Sequence, residues 1–490
     1  MKSKTVFLIF LLMPGAFSAW SQELIKKIPE DPYGLTYGEV FDNMHYNQPY
    51  RPQVHYTPIT GQIADATGLI RYKGAYHLFY MYDEWSRSRK YNKNWGHAIS
   101  NDCIFWEQKP QILNTILDNR PGSGSGIVDW NNTLGLQSGV EKTLVVFYTD
   151  YGRGSCLAFS RDGGETWIRH KDNPIIPMRE GRSDRDPLVF WYKPDQSWRL
   201  VQFEEPGFTF YKSSDLLHWE KLSSVDGFFE CPDFIEMPVD GNANNKKWVL
   251  LDASCLYRIG EFNGTTFKTT MKNTRVDYGD LYATQTFKNS YEGDGPFIQL
   301  AFLRLTGKPE HDRVWSQQQC FPCELSLKTI NNEIRLCRNP IDAIKQLRYD
   351  PHIVKNIKVN PGEDPLKDID GDAFEIIAEI VPEKSSGFTF DIRGEKLNYS
   401  LKDQSITFMG NKAAVKPAGG SMKVRLIIDR SSVEIFINEG EITFSNLFYP
   451  DQSNRNLGLT SDGTLLLKNL EIYRLSSIWL KKEQELGFYR

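Results

Sequence analysis

Three carboxylates stand in contexts that could serve acid–base chemistry. Asp65 lies in Gly61-Gln-Ile-Ala-Asp-Ala-Thr-Gly68, just before the apolar run Leu69 to Tyr72. Asp186 lies in Arg182-Ser-Asp-Arg-Asp-Pro187, ahead of Leu188 to Trp191, and Glu230 lies in Phe228-Phe-Glu-Cys-Pro232. Flanking by Phe228, Phe229, Cys231 and Pro232 predicts a desolvated Glu230 held protonated, as a general acid must be. Asp65, among Gly, Ala and Thr, is expected to be ionised, and Arg185 is expected to keep Asp186 charged. One protonated and one ionised carboxyl are the equipment for glycosidic-bond cleavage. A lone Asp or Glu in a β-rich chain is more often a turn or surface residue. The catalytic reading therefore requires that three distant segments meet.

The elements around them are short strands, such as Gly74 to Met81, Lys142 to Tyr148 and Lys247 to Leu251, separated by turns. Helical periodicity is scarce, with short helices expected only near Asp342 to Leu347 and in the charged tail after Ile478. A diverged repeat supplies the organisation. Ser100-Asn-Asp102 leads to Trp106, Ser160-Arg-Asp162 to Trp167, and Ser213-Ser-Asp215 to Trp219; Ile259 to Phe267 is a fainter copy. The spacing, about 50 to 60 residues, is that of four-stranded propeller blades. Ser and Asp side chains bond nearby amides in hairpin turns, so the repeat is read as structural. Ser160 to Trp167 also fits the Asp-box of sialidases, a hairpin device shared by unrelated propellers. Each of the three carboxylates would open an innermost blade strand, and innermost strands converge on a central funnel. The expected fold is all-β: a propeller over residues 45–340, a Pro- and charge-rich linker over 341–366, and a β-sandwich over 367–478.

Composition narrows the partners. With 58 basic against 62 acidic residues and a net charge of -4, there is no basic excess for a phosphate backbone, so nucleic acid is not an expected partner. Lys2 and Lys4, the apolar run Val6 to Met13, and Ala19 and Ser21 before Gln22 read as a signal peptide over residues 1–21. Export to the periplasm or medium is expected, without a lipid-anchoring Cys and without a membrane span. Seven scattered cysteines do not make a disulfide framework, and Cys320-Phe-Pro-Cys323 is expected in a strand that points the two thiols to opposite faces. No H-E-x-x-H, P-loop or G-x-S-x-G occurs, the eight His lack ligand spacing, and Gly122-Ser-Gly-Ser-Gly126 opens no helix. No metal or cofactor is expected.

At these residues the sequence resembles glycoside hydrolase family 32, the invertases, inulinases and levanases. The family's R-P-x-Y-H-F-T-P and W-M-N-D-P-N-G-L correspond to Arg51-Pro-Gln-Val-His-Tyr-Thr-Pro58 and Gln62-Ile-Ala-Asp65-Ala-Thr-Gly-Leu69. Y-H-L-F-Y-Q-Y corresponds to Tyr76 to Tyr82, W-G-H-A-x-S-x-D to Trp95 to Asp102, and F-S-G-S-A-x-V-D to Gly122 to Asp129. R-D-P and E-C-P stand at Arg185 to Pro187 and Glu230 to Pro232, and Asp429-Arg-Ser-Ser-Val-Glu-Ile-Phe436 is a family hallmark in the second domain. The resemblance implies a five-bladed propeller with a β-sandwich and a retaining attack on β-fructofuranosides of fructans or sucrose-like substrates. Asp65 would be the nucleophile, Glu230 the acid and then base, and Asp186 the transition-state stabiliser. Arg185, Trp95, Gln62, Met81 and Ser125 would bind the oligo- or polysaccharide. Where the family has Trp and Asn before the nucleophile this chain has Gln62 and Ala64. Ala66-Thr67 replaces Pro-Asn, Met81 replaces Gln, and Gly122 replaces Phe. A furanosidase of altered specificity, or a binding protein on the same fold, are the alternatives. Ser431, Val433 and Glu434 are expected to pack strands rather than bind a ligand.

Overall fold

The structure is a computed structural model, and it describes residues 45–84, 93–115, 120–287, 295–306 and 314–479. The signal peptide at 1–21 and the tail beyond 479 lie outside the described residues. Five antiparallel blades follow one another around the ring. Their innermost strands are Gly61–Tyr72, Pro121–Asp129, Arg185–Tyr192, Asp233–Val239 and Leu281–Thr286. In each of the first four blades the chain steps outward strand by strand. The fifth runs through Phe297–Leu303, Cys323–Ile330 and Glu333–Pro340. The ring closes where Trp315 and Ser316 lie parallel to Gly61 and Gln62 at the inner edge of the first blade, with the Gln317 and Gln319 side chains donating to the Ile63 and Ala64 carbonyls.

Alternation along the strands places one apolar set in each gap between blades. Phe79, Met81 and Trp95 of the first blade meet Val128, Leu144, Val146 and Tyr148 of the second. Val145, Phe147 and Phe159 of the second meet Val189, Trp198 and Leu200 of the third. Phe190, Phe208 and Phe210 of the third meet Phe234, Trp248 and Phe262 of the fourth. The repeat seen in the sequence caps the outer hairpins. Ser100 Oγ donates to Asp102 Oδ1 at 3.0 Å, that oxygen accepts the Ile104 and Phe105 amides, and Trp106 Nε1 donates to the Cys103 carbonyl at 3.1 Å. The third blade repeats this with Ser213, Asp215 and Trp219, and the second with Ser160, Asp162 and Trp167.

The sandwich packs a six-stranded sheet on a five-stranded one around Phe374, Phe390, Leu426, Ile435 and Leu470. Residues 341–366 depart from the expected linker. Asp342–Leu347 forms a 3-10 helix, and Arg348–Val359 is a strand paired along its length with Leu465–Leu475. This strand lies at the sheet's edge, so Pro351 needs no ladder partner on its open side, and Lys355 and Lys358 stay solvated. The charge and proline that read as a linker are those of an edge strand.

The two domains share a buried ionic joint. His55 lies between Asp429 (Nδ1 to Oδ2, 2.7 Å) and Glu434 (Nε2 to Oε1, 3.0 Å), and Arg338 faces Glu434 Oε2 at 3.3 Å. Asp429 also accepts the Gln53 and Val54 amides, and Glu434 accepts the Phe321 amide. Ser431 and Ser432 bond Gln318 beside them.

Candidate active site

The innermost strands are irregular where they open onto the funnel, and these breaks aim the functional side chains. In the first blade the register slips between Ile63 and Ala66. Consecutive residues Ala64 and Asp65 therefore both line the cavity, together with Gln62. In the second it slips between Pro121 and Gly124, which turns Ser123 to the cavity. Asp186 in the third blade has φ 61°, between Arg185 and a register slip before Leu188. Glu230 and Cys231, just ahead of the fourth inner strand, have φ 51° and 41°. Ala283, in a slip between Tyr282 and Gln285, has φ 55°. Left-handed backbone at non-glycine residues costs on the order of 1–3 kcal/mol each and gathers at functional sites.

The three carboxylates come together. Ser123 Oγ donates to Asp65 Oδ2 at 2.6 Å. The Cys231 thiol spans two acids, 4.0 Å from Asp65 Oδ2 and 3.5 Å from Asp186 Oδ2. Burial and the charges of Asp186, Asp65 and Glu230 hold that thiol far above its usual range, so it is a donor and not a thiolate. Asp186 is fully enclosed. Its Oδ2 accepts the Cys231 amide at 3.0 Å, and its own amide donates to Thr149 Oγ1 at 2.7 Å. Arg185 donates to Glu230 Oε1 from Nε (3.1 Å) and lies 3.0 Å from it at Nη2. The Tyr282 hydroxyl donates to Glu230 Oε2 at 2.5 Å.

Two electrostatic expectations are corrected. Arg185, 3.8 Å from Asp186, lowers its pKa as expected, but the guanidinium is shared with Glu230 and burial outweighs it. Burial first, then the charge of Glu230, raises Asp186 to about 7. Glu230 is not walled by its sequence neighbours. The positive-φ turn sends Phe228 into the core between blades, while Phe229 lies beside the Arg185 guanidinium, 5.3 Å from centroid to Cζ. Arg185 and Tyr282 wall the Glu230 carboxyl instead.

Gln62 and Met81 line the cavity as expected. Trp95 and Ser125 do not. Trp95 is wholly buried in the gap between the first two blades, its Nε1 donating to the Gly122 carbonyl at 3.0 Å. Ser125 Oγ accepts the Val189 amide at 2.9 Å and ties the second blade to the third. The slip near Gly124 explains the exchange, since it sends Ser123 rather than Ser125 to the funnel. Sequence reasoning missed Tyr282, Tyr151, Asp83 and Lys93, which complete the lining. Tyr282 was open to the rule that located the acids, because it stands second in the fifth inner strand. Three lining carboxyls (Asp65, Asp83, Glu230) face one lining cation (Lys93), so the pocket suits a neutral polar ligand better than an anion, while Asp186 and Arg185 are buried next to Glu230 and are not among the lining residues. An enclosed acid beside acids with ordered donors is equipped for proton transfer and nucleophilic attack at a sugar carbon.

Comparison with known proteins agrees. Residues 55–340 match the model of the glycosyl hydrolases family 32 N-terminal domain, and residues 343–474 that of the family 32 C-terminal domain. The levanase of Bacillus subtilis (strain 168) is 33% identical over 493 residues, covering 89% of this chain and 72% of its own. The extracellular exo-inulinase of Aspergillus awamori is 27% identical over 533 residues, covering 91% and 97%. A crystal structure of exo-inulinase from Aspergillus awamori matches with a TM-score of 0.80 at 25% identity, over 89% of this chain and 100% of that one.

Proposed function

The chain belongs to glycoside hydrolase family 32 and hydrolyses β-fructofuranosidic bonds of fructans, and on that premise we propose how its carboxylates divide a double displacement. Asp65 attacks the anomeric C2 while Glu230 gives its proton to the departing glycosidic oxygen. A covalent fructosyl ester on Asp65 results. Glu230, now a carboxylate, takes a proton from water, the water oxygen attacks C2, and the Asp65 ester bond breaks with net retention. Ser123 holds the attacking carboxylate in aim, and Arg185 with Tyr282 fix the rotamer of Glu230. Asp186, raised to about 7, accepts sugar hydroxyls and stabilises positive charge at C2 when ionised. The observation that carries this reading is the convergence of acids from the first, third and fourth blades on one funnel.

Ala64 and Met81 stand in the cavity wall where the family has polar Asn and Gln, which favours a grip on the terminal sugar that differs from the family's. Each lost hydrogen bond removes about 0.5–1.5 kcal/mol, enough to move preference among levan, inulin, sucrose and other furanosides. The reading includes export, in keeping with the extracellular exo-inulinase among the relatives. No described helix is long and apolar enough to cross a membrane.

Product analysis on levan, inulin, sucrose and aryl furanosides, with wild type beside Asp65→Asn, tests the assignment. Fructose or fructo-oligosaccharides from wild type alone are expected. Turnover by Asp65→Asn at the wild-type rate would overturn the role of Asp65. Release from a non-fructose furanoside alone would show redirected specificity. No product from any substrate would leave a carbohydrate-binding role.

A further inference from the structure

A second polar cleft of about 240 Å³ opens where the segment entering the propeller crosses the sandwich, and it shares no lining residue with the funnel. Three guanidinium groups, Arg393, Arg430 and Arg455, line it with one carboxylate, Asp372. All three arginines have acidic neighbours, and Arg393 feels Asp372 and Asp429. Arg430 Nε donates to Asp372 Oδ2 at 2.8 Å and Nη1 to Asn47 Oδ1 at 3.1 Å. Arg455 Nε lies 3.8 Å from Asp370 Oδ2, with both side chains well exposed to water.

Arg393 differs from both. It is only 5% exposed, and it sits at φ 52° in the turn between strands Gly387–Ile392 and Glu395–Ser400. Its Nε donates to the Asn454 carbonyl at 2.9 Å, while its buried Nη1 has no hydrogen-bond partner in the protein. A buried guanidinium N–H without an acceptor is costly, and a planar donor fork is satisfied best by two oxygens of one anion. Three cations line this cleft against one lining carboxylate, with Asp370 and Asp429 close to them, in a chain of net charge -4.

We propose that the cleft binds a small oxyanion (phosphate, sulfate or a sugar-borne carboxylate) held by Arg393, Arg430 and Arg455. Bound there, the anion joins the Asn47–Pro49 segment to the sandwich. Calorimetric titration of the full chain in chloride buffer at constant ionic strength, with inorganic phosphate, inorganic sulfate and methyl β-glucuronoside in turn, tests it. Saturable binding of at least one of the three at one site per chain is expected. Losing one charge-assisted contact in Arg393→Gln or Arg455→Gln should weaken it by roughly tenfold or more. Preference for the glucuronoside would identify a glycan source, and preference for phosphate or sulfate a free ion. Arg455 is half-exposed, so Arg455→Gln keeps the test decisive if Arg393→Gln does not fold, and fructan hydrolysis by it should equal wild type. No saturable binding of any probe, or equal binding by wild type and Arg455→Gln, would overturn the proposal.

Discussion

The funnel and the interdomain joint are built from the same parts and behave in opposite ways. Each places buried carboxylates beside an arginine. In the joint, His55 and Arg338 balance Asp429 and Glu434, and backbone amides fill remaining acceptor positions. Burial alone would lower the His55 pKa and raise those of the acids. The hydrogen bonds and opposite charges win, so His55 rises to about 9 while Asp429 and Glu434 fall below the usual carboxylate range. In the funnel, burial and the like charge of Glu230 outweigh the Cys231 amide and Arg185 at Asp186, and raise it to about 7. A buried charge whose ionised form is fully matched holds structure together. One pushed toward neutrality beside other acids of a cavity is poised for proton exchange.

Four changes would break or sharpen this contrast. The largest effect is expected from Asp65→Asn, which should lower kcat by roughly four to six orders of magnitude with the urea midpoint unchanged, as steady-state kinetics beside denaturation will show. The mirror image is Glu434→Gln, which leaves His55 and Arg338 partly unmatched. It should cost about 3–5 kcal/mol of stability in urea unfolding, while kcat of the folded enzyme stays at wild type. Asp186→Asn should do both things at once, in opposite directions. Activity should fall about a hundredfold or more. The raised pKa means that the unfolded chain gives up this proton near pH 4 and the folded one near 7. Wild-type stability therefore falls across that window, and the variant should melt higher than wild type at pH 8.

The smallest effect is a pH slope from the joint. With His55 raised, its contribution is complete below about 6.5 and is lost as pH rises through about 9. With Asp429 and Glu434 lowered, theirs is complete above about 4.5 and is lost on acidification. The joint's own contribution should plateau between these limits, on top of the fall that Asp186 gives, and decline on the alkaline side by up to about 1.4 kcal/mol per pH unit. His55→Gln should flatten the alkaline slope. An unchanged slope in that variant would remove His55 from the account.

What was legible in the sequence was local or repeated. The Ser, Asp and Trp turns signal the blades because each closes its hydrogen bonds within a few residues. The apolar runs place Asp186 at the start of its strand, whereas Asp65 lies within Gly61–Tyr72 and Glu230 ahead of Asp233–Val239. Two kinds of feature were not legible. Register slips leave no signature in alternation, so Ser123 and Ser125 exchanged roles and Trp95 was placed in a pocket when it belongs to the core. Pairings across the chain were equally hidden: nothing near Glu230 points to Tyr282, or near His55 to Glu434. The edge strand Arg348–Val359 was misread because solvated charge and proline serve a linker and a sheet edge alike.

The late closure of the ring sets a timetable for synthesis. Gly61 and Gln62 leave the ribosome early and must wait for Trp315 and Ser316. At ordinary elongation rates the delay is roughly 10–50 s, and His55 waits longer still for Glu434. Asp65 sits three residues after Gln62, so the strand that carries it is made early and gains its parallel partner late. A nascent or truncated chain ending before Trp315 would carry Asp65, Asp186, Glu230 and Tyr282 and still lack a closed funnel to hold them.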